Sequence, residues 1–257
     1  MGRIMKKLAL AVLAFGALLA PAFAADLPVA APYQPPPRPL YSWTGCSLGV
    51  NIGGGWASKS FTDTVGTFGP VGGILGPHSP RGVVGGGQAG CDYQVGAFVF
   101  GVGGVFDLTG MKANNFQPGG VLLDNTFVQS IATVTGRVGY TVTPTMLLYV
   151  KGGGAWMHDI FTITTFNGNV AAIGSSTPGG WTVGGGFEWA FFGGNWSAFL
   201  EYDYIDVGTP RVNFTTANTA LIPVAAAFPL DVRQRVSVFL FGINYRFNAW
   251  GPVVARY

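Results

Sequence analysis

The feature that most constrains this chain is the alternation of side chains in its last predicted strand, residues 235–247. Read with a period of two, the strand has an apolar face and a face of small or polar residues: Phe239, Phe241, Ile243, Tyr245 and Phe247, and opposite them Gly242, Asn244 and Arg246. Successive side chains of a strand point to opposite sides. An apolar outside around a polar inside is what a β-barrel in lipid requires.

Composition excludes one kind of membrane protein and favours another. The chain has 257 residues, of which 49% are hydrophobic and only 10% are charged. After the first 25 residues, however, no uninterrupted apolar run approaches the roughly 18 residues of a transmembrane helix. Because lipid tolerates only helices and closed barrels, a membrane protein of this composition is predicted to be a barrel.

The N-terminus has the three parts of a secretory signal peptide. Basic residues at its start precede an apolar region over 8–20 and the small-residue site Ala22-Phe-Ala24, so residues 1–24 are predicted to be removed. Without them, Lys+Arg falls from 14 to 11 and equals the 11 Asp+Glu. The mature chain is then near neutral, and nucleic-acid binding loses its electrostatic basis.

Residues 25–40 are rich in proline and are predicted to form a periplasmic tether. Prolines at this density favour extended polyproline II and cannot donate to a sheet ladder. A spacer is the expected role, and a partner-binding motif is the alternative.

Eight segments alternate like the last one: 43–58, 83–95, 97–108, 126–140, 146–165, 180–190, 196–207 and 235–247. The connections between them run alternately long and short, with long loops over 59–82, 109–125, 166–179 and 208–232. Outer-membrane barrels have short periplasmic turns and longer outer loops. The pattern therefore predicts an all-β fold, an eight-stranded antiparallel up-and-down transmembrane β-barrel over 41–247.

Aromatic residues near the strand ends predict the two girdles of a membrane barrel. The lower set is Trp43, Tyr93, Phe98, Tyr140, Trp189, Trp196 and Tyr245, and the upper set is Trp56, Trp156, Trp181 and Tyr204. Val236, Val238 and Leu240 place apolar groups on the nominal inside of the last strand, where a β-bulge is one explanation.

Charged residues on the inward faces are the strongest functional signal: Arg137, Lys151, Glu188, Glu201, Asp203, Asp107, Asp92 and Arg246. An eight-stranded barrel is just wide enough for side chains to fill. Leaving a buried charge without a partner costs several kcal/mol, so a salt-bridged plug is predicted. A narrow gated pore or proton path is the alternative.

The two cysteines allow two interpretations. Cys46 and Cys91 lie on the first two strands, both facing outward and roughly opposite each other. In the oxidising periplasm they either form a cross-strand disulfide or remain lipid-facing thiols, and a one-residue register slip would forbid the bridge.

The sequence predicts no enzyme, cofactor or metal site. The two histidines are His78 and His158, and a triad of His158 with Asp159 is not expected because sequence neighbours point to opposite faces of a strand.

Several segments resemble one family, the alphaproteobacterial outer-membrane immunogenic proteins, which are small porin-like barrels of the OmpA-like β-barrel superfamily. They are Ala-Asp-Leu-Pro at 25–28, Tyr-Ser-Trp-Thr-Gly at 41–45, Trp-Ser-Ala-Phe-Leu-Glu-Tyr at 196–202 and Gly-Ile-Asn-Tyr-Arg-Phe at 242–247. The resemblance implies a Gram-negative outer-membrane barrel with no catalytic residues to transfer. It also implies that Tyr245 and Phe247 form the signal read by the barrel-assembly machinery, although a C-terminal extension, 248–257, follows them here.

The expected function is a structural and surface role, with a narrow porin-like pore for very small solutes as a further option. The alternative is a surface binding protein, an adhesin or a binder of a haem-type ligand, that acts through its four long extracellular loops. The expected partners are outer-membrane lipid, lipopolysaccharide and the assembly machinery, with host or ligand contacts through the loops.

Overall fold

The computed structural model describes residues 41–66, 70–116, 122–165, 167–191, 195–218 and 227–247. The predicted signal peptide, tether and C-terminal extension lie outside these residues. Every regular element in the described part is a strand. No helix in that part is long and apolar enough to cross a membrane.

The strands are numbered in chain order. They are β1 Gly45–Asp63, β2 Ile74–His78, β3 Arg81–Val95, β4 Phe98–Phe116, β5 Leu122–Thr143, β6 Met146–Thr165, β7 Val170–Ser176, β8 Gly179–Phe191, β9 Trp196–Gly208, β10 Arg211–Thr216 and β11 Ala227–Phe247.

Eight of these strands form a closed antiparallel ring in the order β1, β3, β4, β5, β6, β8, β9 and β11. The ring closes where β11 pairs with β1 from Cys46 opposite Phe247 to Asp63 opposite Leu230. The predicted barrel, and its closure by the last strand against the first, are confirmed. Closure matters because it leaves no open sheet edge in lipid.

The outside and the inside of the ring differ as the alternation predicts. Leu48 and Phe241 are 59% and 48% exposed on the outer surface, whereas Glu188 and Arg246 on the inside are fully buried. Val236 also points inward and is buried, and the β11–β9 ladder has a register shift between Gln234 and Arg235, just before it. The apolar residues of β11 therefore belong to an apolar layer in the lumen.

The four predicted long loops are wrong in part, because much of each is strand. β1, β4, β5, β6 and β11 continue past the upper girdle, and β2, β7 and β10 add short hairpin strands to them. β7 and β10 fill the space between β6 and β11 above the ends of β8 and β9. We call this part the extracellular extension: β2, β7, β10 and the segments of β1, β4, β5, β6 and β11 that lie beyond the girdle.

The extension has the opposite polarity to the membrane barrel, and this explains the error. Phe61, Phe161, Phe214 and Leu230 are buried inside it, while Ser58 and other polar residues face outward. This is the arrangement of a sheet in water. A search for outward-facing apolar residues therefore ends each strand too early.

The His78 side chain attaches β2 to the interior of the extension. His78 is opposite Lys59 in the β1–β2 ladder and therefore lies three residues beyond the level of Trp56. Its Nδ1 lies 3.4 Å from the Thr126 hydroxyl, and its ring is 4.7 Å from that of Phe61. Burial, reinforced by the positive charge of Lys59, lowers the pKa of His78 to about 4.

We expect the β1–β2 hairpin to loosen on acidification. In the opened hairpin His78 titrates near its usual pKa of about 6.5 and binds more protons than the packed form, so closure is fully stabilised above that pH. This stabilisation of the closed hairpin is lost as the pH falls from 6.5 to 4. The loss reaches about 3 kcal/mol at pH 4. Hydrogen exchange of the hairpin amides, corrected for intrinsic rates, should show this loss.

His78→Gln should remove the pH dependence, while His158→Gln, whose ring contacts the Thr177 hydroxyl outside the barrel, should retain it. Hairpin protection that is independent of pH in the unsubstituted chain would contradict the assignment.

Candidate functional site: the barrel lumen

A four-residue ion network occupies the lower half of the lumen. The Arg137 guanidinium donates to Asp92 through Nε at 2.8 Å and through Nη2 at 2.5 Å, and its Nη1 donates to Glu188 at 3.0 Å. Arg246 donates to Asp92 at 2.8 Å and lies 3.6 Å from Glu188. Two cations thus alternate with two carboxylates across β3, β5, β8 and β11. Charges at this depth persist only when paired in this way.

A second network lies beside the first. The Lys151 ammonium is 2.6 Å from Glu201 and 2.9 Å from Asp203, and the Tyr149 hydroxyl donates to Glu201 at 2.8 Å. Asp107 is also buried and interacts with the Asn51 amide. Glu201 and Asp203 share the Lys151 ammonium, so the positions of these side chains as well as their opposite charges hold the network together.

Neutral side chains extend from the first network along one small cavity, which residues of both networks also line. Asn51 donates to Gln88 at 2.9 Å, Gln88 donates to Asn244 at 2.8 Å, and Asn244 donates to Glu188 at 3.1 Å. The cavity measures about 70 Å³, and its lining includes Arg137 and these three amides. A space of this size holds a few water molecules.

The lower mouth is closed by Trp43, which was predicted to lie in the lower girdle and is fully buried inside the lumen. Its indole nitrogen donates to the Pro144 carbonyl at 3.2 Å, and its own carbonyl accepts from Arg246 at 2.6 Å. Gly45, with φ of +142°, turns the chain inward, and a Cβ there would meet the Phe247 carbonyl oxygen at 2.8 Å.

The prediction for Trp43 was wrong because it rested on the position of an aromatic residue near a strand end. Outward residues of β1 have even numbers, as Leu48 and Val50 show, so the odd number of Trp43 marks the inward side. Side-chain parity was the signal that would have placed it correctly.

Two apolar layers close the lumen above the charges. The first, which we call the middle layer, consists of Ala57, Val84, Met111, Val128, Ile131, Ala155, Met157, Phe199, Ile205, Val207, Val236, Val238 and Leu240. The second lies inside the extension and consists of Phe61, Phe161, Ile163, Ala171, Ala172, Val212, Phe214, Phe228, Leu230 and Val232.

A buried ion pair that sequence reasoning missed separates the two layers. Lys59 Nζ lies 2.7 Å from an Asp159 carboxylate oxygen, and neither side chain is exposed to solvent. Burial lowers the pKa of Lys59 and raises that of Asp159, while the attraction between the two charges opposes both changes. The alternation of inward and outward positions on β1 and β6, followed beyond residue 58, would have placed both residues of this pair inside.

The structure thus places all eight charged residues predicted for the lumen inside the barrel and brings seven of them into two ion networks. Asp107 is buried between Asn51 and the second network and is not in a salt bridge among the described residues. Tyr245 and Phe247 lie on the last strand with ring centroids 5.0 Å apart. Their role as an assembly signal stays a prediction.

No group of three or more His, Cys, Asp or Glu in the described ranges is arranged to hold a metal ion. His78 and His158 lie apart, one inside the extension and one outside the barrel.

Cys46 and Cys91 are directly opposite in the β1–β3 ladder and are joined by a disulfide on the outer surface. The bridge encloses a sequence separation of 45 residues. It fixes the register of the first hairpin at its lower end.

The closed ring, the apolar exterior and the charged interior together define a transmembrane β-barrel. The chain is 30% identical over 239 residues to the 31 kDa outer-membrane immunogenic protein of Brucella melitensis, covering 88% of this chain and 93% of that protein. It belongs to the family of outer-membrane immunogenic proteins and is an outer-membrane protein.

A second relative belongs to the same family, and one solved structure is given for comparison. The 25 kDa outer-membrane immunogenic protein of the same organism is 30% identical over 250 residues, which cover 95% of this chain and all of that protein. The solved structure of Ail from Yersinia pestis is 16% identical with a TM-score of 0.37, covering 79% of this chain and 99% of that chain. No family model matches the chain.

The ion networks should contribute strongly to stability. Lys151→Met leaves Glu201 and Asp203 without their cation, and removal of one partner from a buried pair costs about 3–5 kcal/mol. The matched control is Arg211→Met, which breaks the exposed pair with Asp231 and should cost no more than about 1 kcal/mol. Urea unfolding in detergent micelles, followed by tryptophan fluorescence, measures both. Equal effects of the two substitutions would show that the lumen pair is not buried as described.

We expect the disulfide in protein isolated from the outer membrane. Intact mass should be lower by two hydrogen atoms, and thiol alkylation should require a reductant. Replacing both cysteines with serine should lower the free energy of unfolding by ~2–4 kcal/mol, because the unfolded chain gains freedom. Alkylation of both thiols without reductant would support the alternative of two free cysteines.

Proposed function

We propose that this protein is a closed structural barrel that anchors the extracellular extension at the cell surface and does not conduct solutes. The observation that carries the proposal is the filling of the lumen from one end to the other. Trp43 fills the lower mouth, the ion networks follow, and the middle layer and the interior of the extension complete the column.

The middle layer is the strongest argument against a pore. A water-filled path needs polar groups or free space at every level, whereas Val84, Met111 and Met157 are completely buried in this layer. Apolar groups at a constriction block conduction because water leaves it. The small cavity among the charges therefore supports trapped water better than a channel.

A narrow pore is the competing proposal, and its starting point would be the small cavity among the charges. Solute flow would require Trp43 to leave the lower mouth and the middle layer to separate. The ion networks support a static interior, since Arg137 and Arg246 each contact one carboxylate on β3 and one on β8. Lys151 joins β6 to two carboxylates of β9.

Surface binding is a second candidate, and exposed apolar residues near the end of the β1–β2 hairpin favour it. Val65, Val71 and Ile74 are 53%, 71% and 68% exposed. Apolar groups exposed together are more common at binding sites than on an inert surface. The relevant ligand class is an apolar or aromatic surface, and deletion of this hairpin end should abolish such binding without unfolding the barrel.

We also propose that the protein is not an enzyme. The lumen carboxylates that acid–base chemistry would need, such as Asp92, Glu188 and Glu201, are engaged by arginine or lysine. Catalysis requires such a group to reach a substrate, and these groups have no open route to one.

Planar-bilayer recording tests the closed lumen. The purified, folded chain should give no conductance steps, because the middle layer excludes water. The variant Met111→Ser/Met157→Ser/Trp43→Ala removes large groups from two levels of the column and should produce small, frequent openings. Heat-modifiable migration on gels verifies that both proteins are folded barrels. Reproducible steps from the unsubstituted protein would refute the proposal and favour the pore.

A further inference from the structure

Two cations face each other on the outside of the barrel. Arg81 on β3 and Lys112 on β4 are directly opposite in the ladder, and both side chains are exposed on the outer face. Like charges at directly opposite positions of a sheet repel and destabilise the pairing. Neither residue forms a salt bridge with any of the described residues. The pair therefore lacks an anion within that part of the chain.

The other outward cations above the girdle each have a carboxylate partner. Arg211 pairs with Asp231 at 3.0 Å, and Arg233 and Arg235 approach Asp206 at 3.2 and 3.5 Å. Each outward cation of β10 and β11 thus has a carboxylate partner, and Arg233 and Arg235 share Asp206. Arg81 and Lys112 differ from them because neither has such a partner among the described residues.

The position of the pair specifies the surrounding medium. Arg81 is opposite Trp56, an exposed residue of the upper girdle, and Val83 and Leu108 just below it are about 60% exposed, on the surface that faces lipid. Aromatic girdles lie at the level of the lipid headgroups. Both cations therefore lie where the headgroups of the outer leaflet begin.

A polar groove adjoins the pair on the same face. It has a volume of about 440 Å³, and its lining includes Lys112, Asn114, Asn125, Phe127 and Thr162. The Lys112 ammonium lies 5.1 Å from the centre of the Phe127 ring, a cation–π contact that holds it at the edge of the groove. The exposed Asn114 amide can donate and accept hydrogen bonds, as recognition of a sugar requires, whereas the Asn125 amide already donates to the Thr164 hydroxyl.

We propose that Arg81 and Lys112 bind a phosphate group of an outer-leaflet glycolipid whose sugar occupies the adjoining groove. The anion removes the repulsion between the two cations and gains charge-assisted hydrogen bonds from the guanidinium and the ammonium. The sugar accounts for the polar groove, which a simple phospholipid headgroup would leave unfilled. The inference requires the outer-membrane location but is independent of the closed lumen, so either can fail alone.

Reconstitution with defined lipids tests the proposal. The full chain is placed in phosphatidylcholine nanodiscs that contain increasing fractions of bisphosphorylated lipid A, and bound lipid A is counted by native mass spectrometry. Arg81→Gln/Lys112→Gln should weaken binding roughly 10- to 30-fold, since each cation at a membrane surface contributes about fivefold. The matched control is Arg211→Gln/Arg233→Gln, which removes the same charge from cations that already have partners. It should change binding by less than about threefold.

The remaining arms identify the ligand. Dephosphorylated lipid A should bind as weakly to the unsubstituted chain as lipid A binds to the double variant, and phosphatidylglycerol should bind more weakly than lipid A. Asn114→Ala should reduce the preference for lipid A over phosphatidylglycerol.

Equal losses of lipid A binding in the double variant and in the control, or equal binding of lipid A and its dephosphorylated form, would overturn the proposal. Displacement of lipid A by millimolar inorganic phosphate would overturn it too, because the site would then bind free phosphate. Heat-modifiable migration confirms that each variant is folded.

Discussion

Everything in this structure depends on the ladder between the first and the last ring strand. In lipid an unpaired backbone N–H or C=O has no water to bond, so an open edge would cost several kcal/mol per group. The β1–β11 ladder removes that edge along its whole length, from Cys46 to Asp63. Once the ring is closed with eight strands, its diameter is set, and the interior must be filled by side chains. The ion networks and the apolar layers are consequences of that diameter.

The filled interior changes character along the axis. Charges lie at the level of the hydrocarbon, where the outer surface is apolar, and apolar side chains dominate inside the extension, where the outer surface is polar. A single chain therefore contains a membrane barrel whose interior is charged in its lower half and apolar in the middle layer, and a water-type sheet with an apolar interior. Lys59 and Asp159 lie at the boundary, and this buried pair joins β1 to β6 across the lumen.

The sequence predicted the membrane part well because lipid imposes a strict alternation there. The closing strand, the outward position of Leu48 and the inward position of Glu188 follow from parity alone. Parity does not reveal which partner a charged residue takes, because that depends on the stagger of neighbouring strands. The pairing of Arg137 with Asp92, 45 residues away, needed the structure.

The extension and the mouth were predicted less well, for different physical reasons. Water permits either polarity, so the rule of outward apolar residues stops working above Trp56. Trp43 was misplaced because an aromatic residue beside a strand end suits a girdle as well as a plug. The opposition of Arg81 and Lys112 continues the regular β3–β4 register, but both residues were assigned to predicted loops, because the strands were predicted to begin at 83 and to end at 108.

Lipid surrounds the apolar exterior of the barrel, while neither lipid nor water reaches the middle layer. Methyl cross-relaxation spectra of the protein in nanodiscs measure this directly. The methyl groups of Val50, Val102 and Val150 should show contacts with lipid acyl chains. Those of Val84, Val238 and Leu240 should show contacts with protein protons only. Water contacts at Val84, Val238 and Leu240 would contradict the account, because the lumen would then be hydrated throughout.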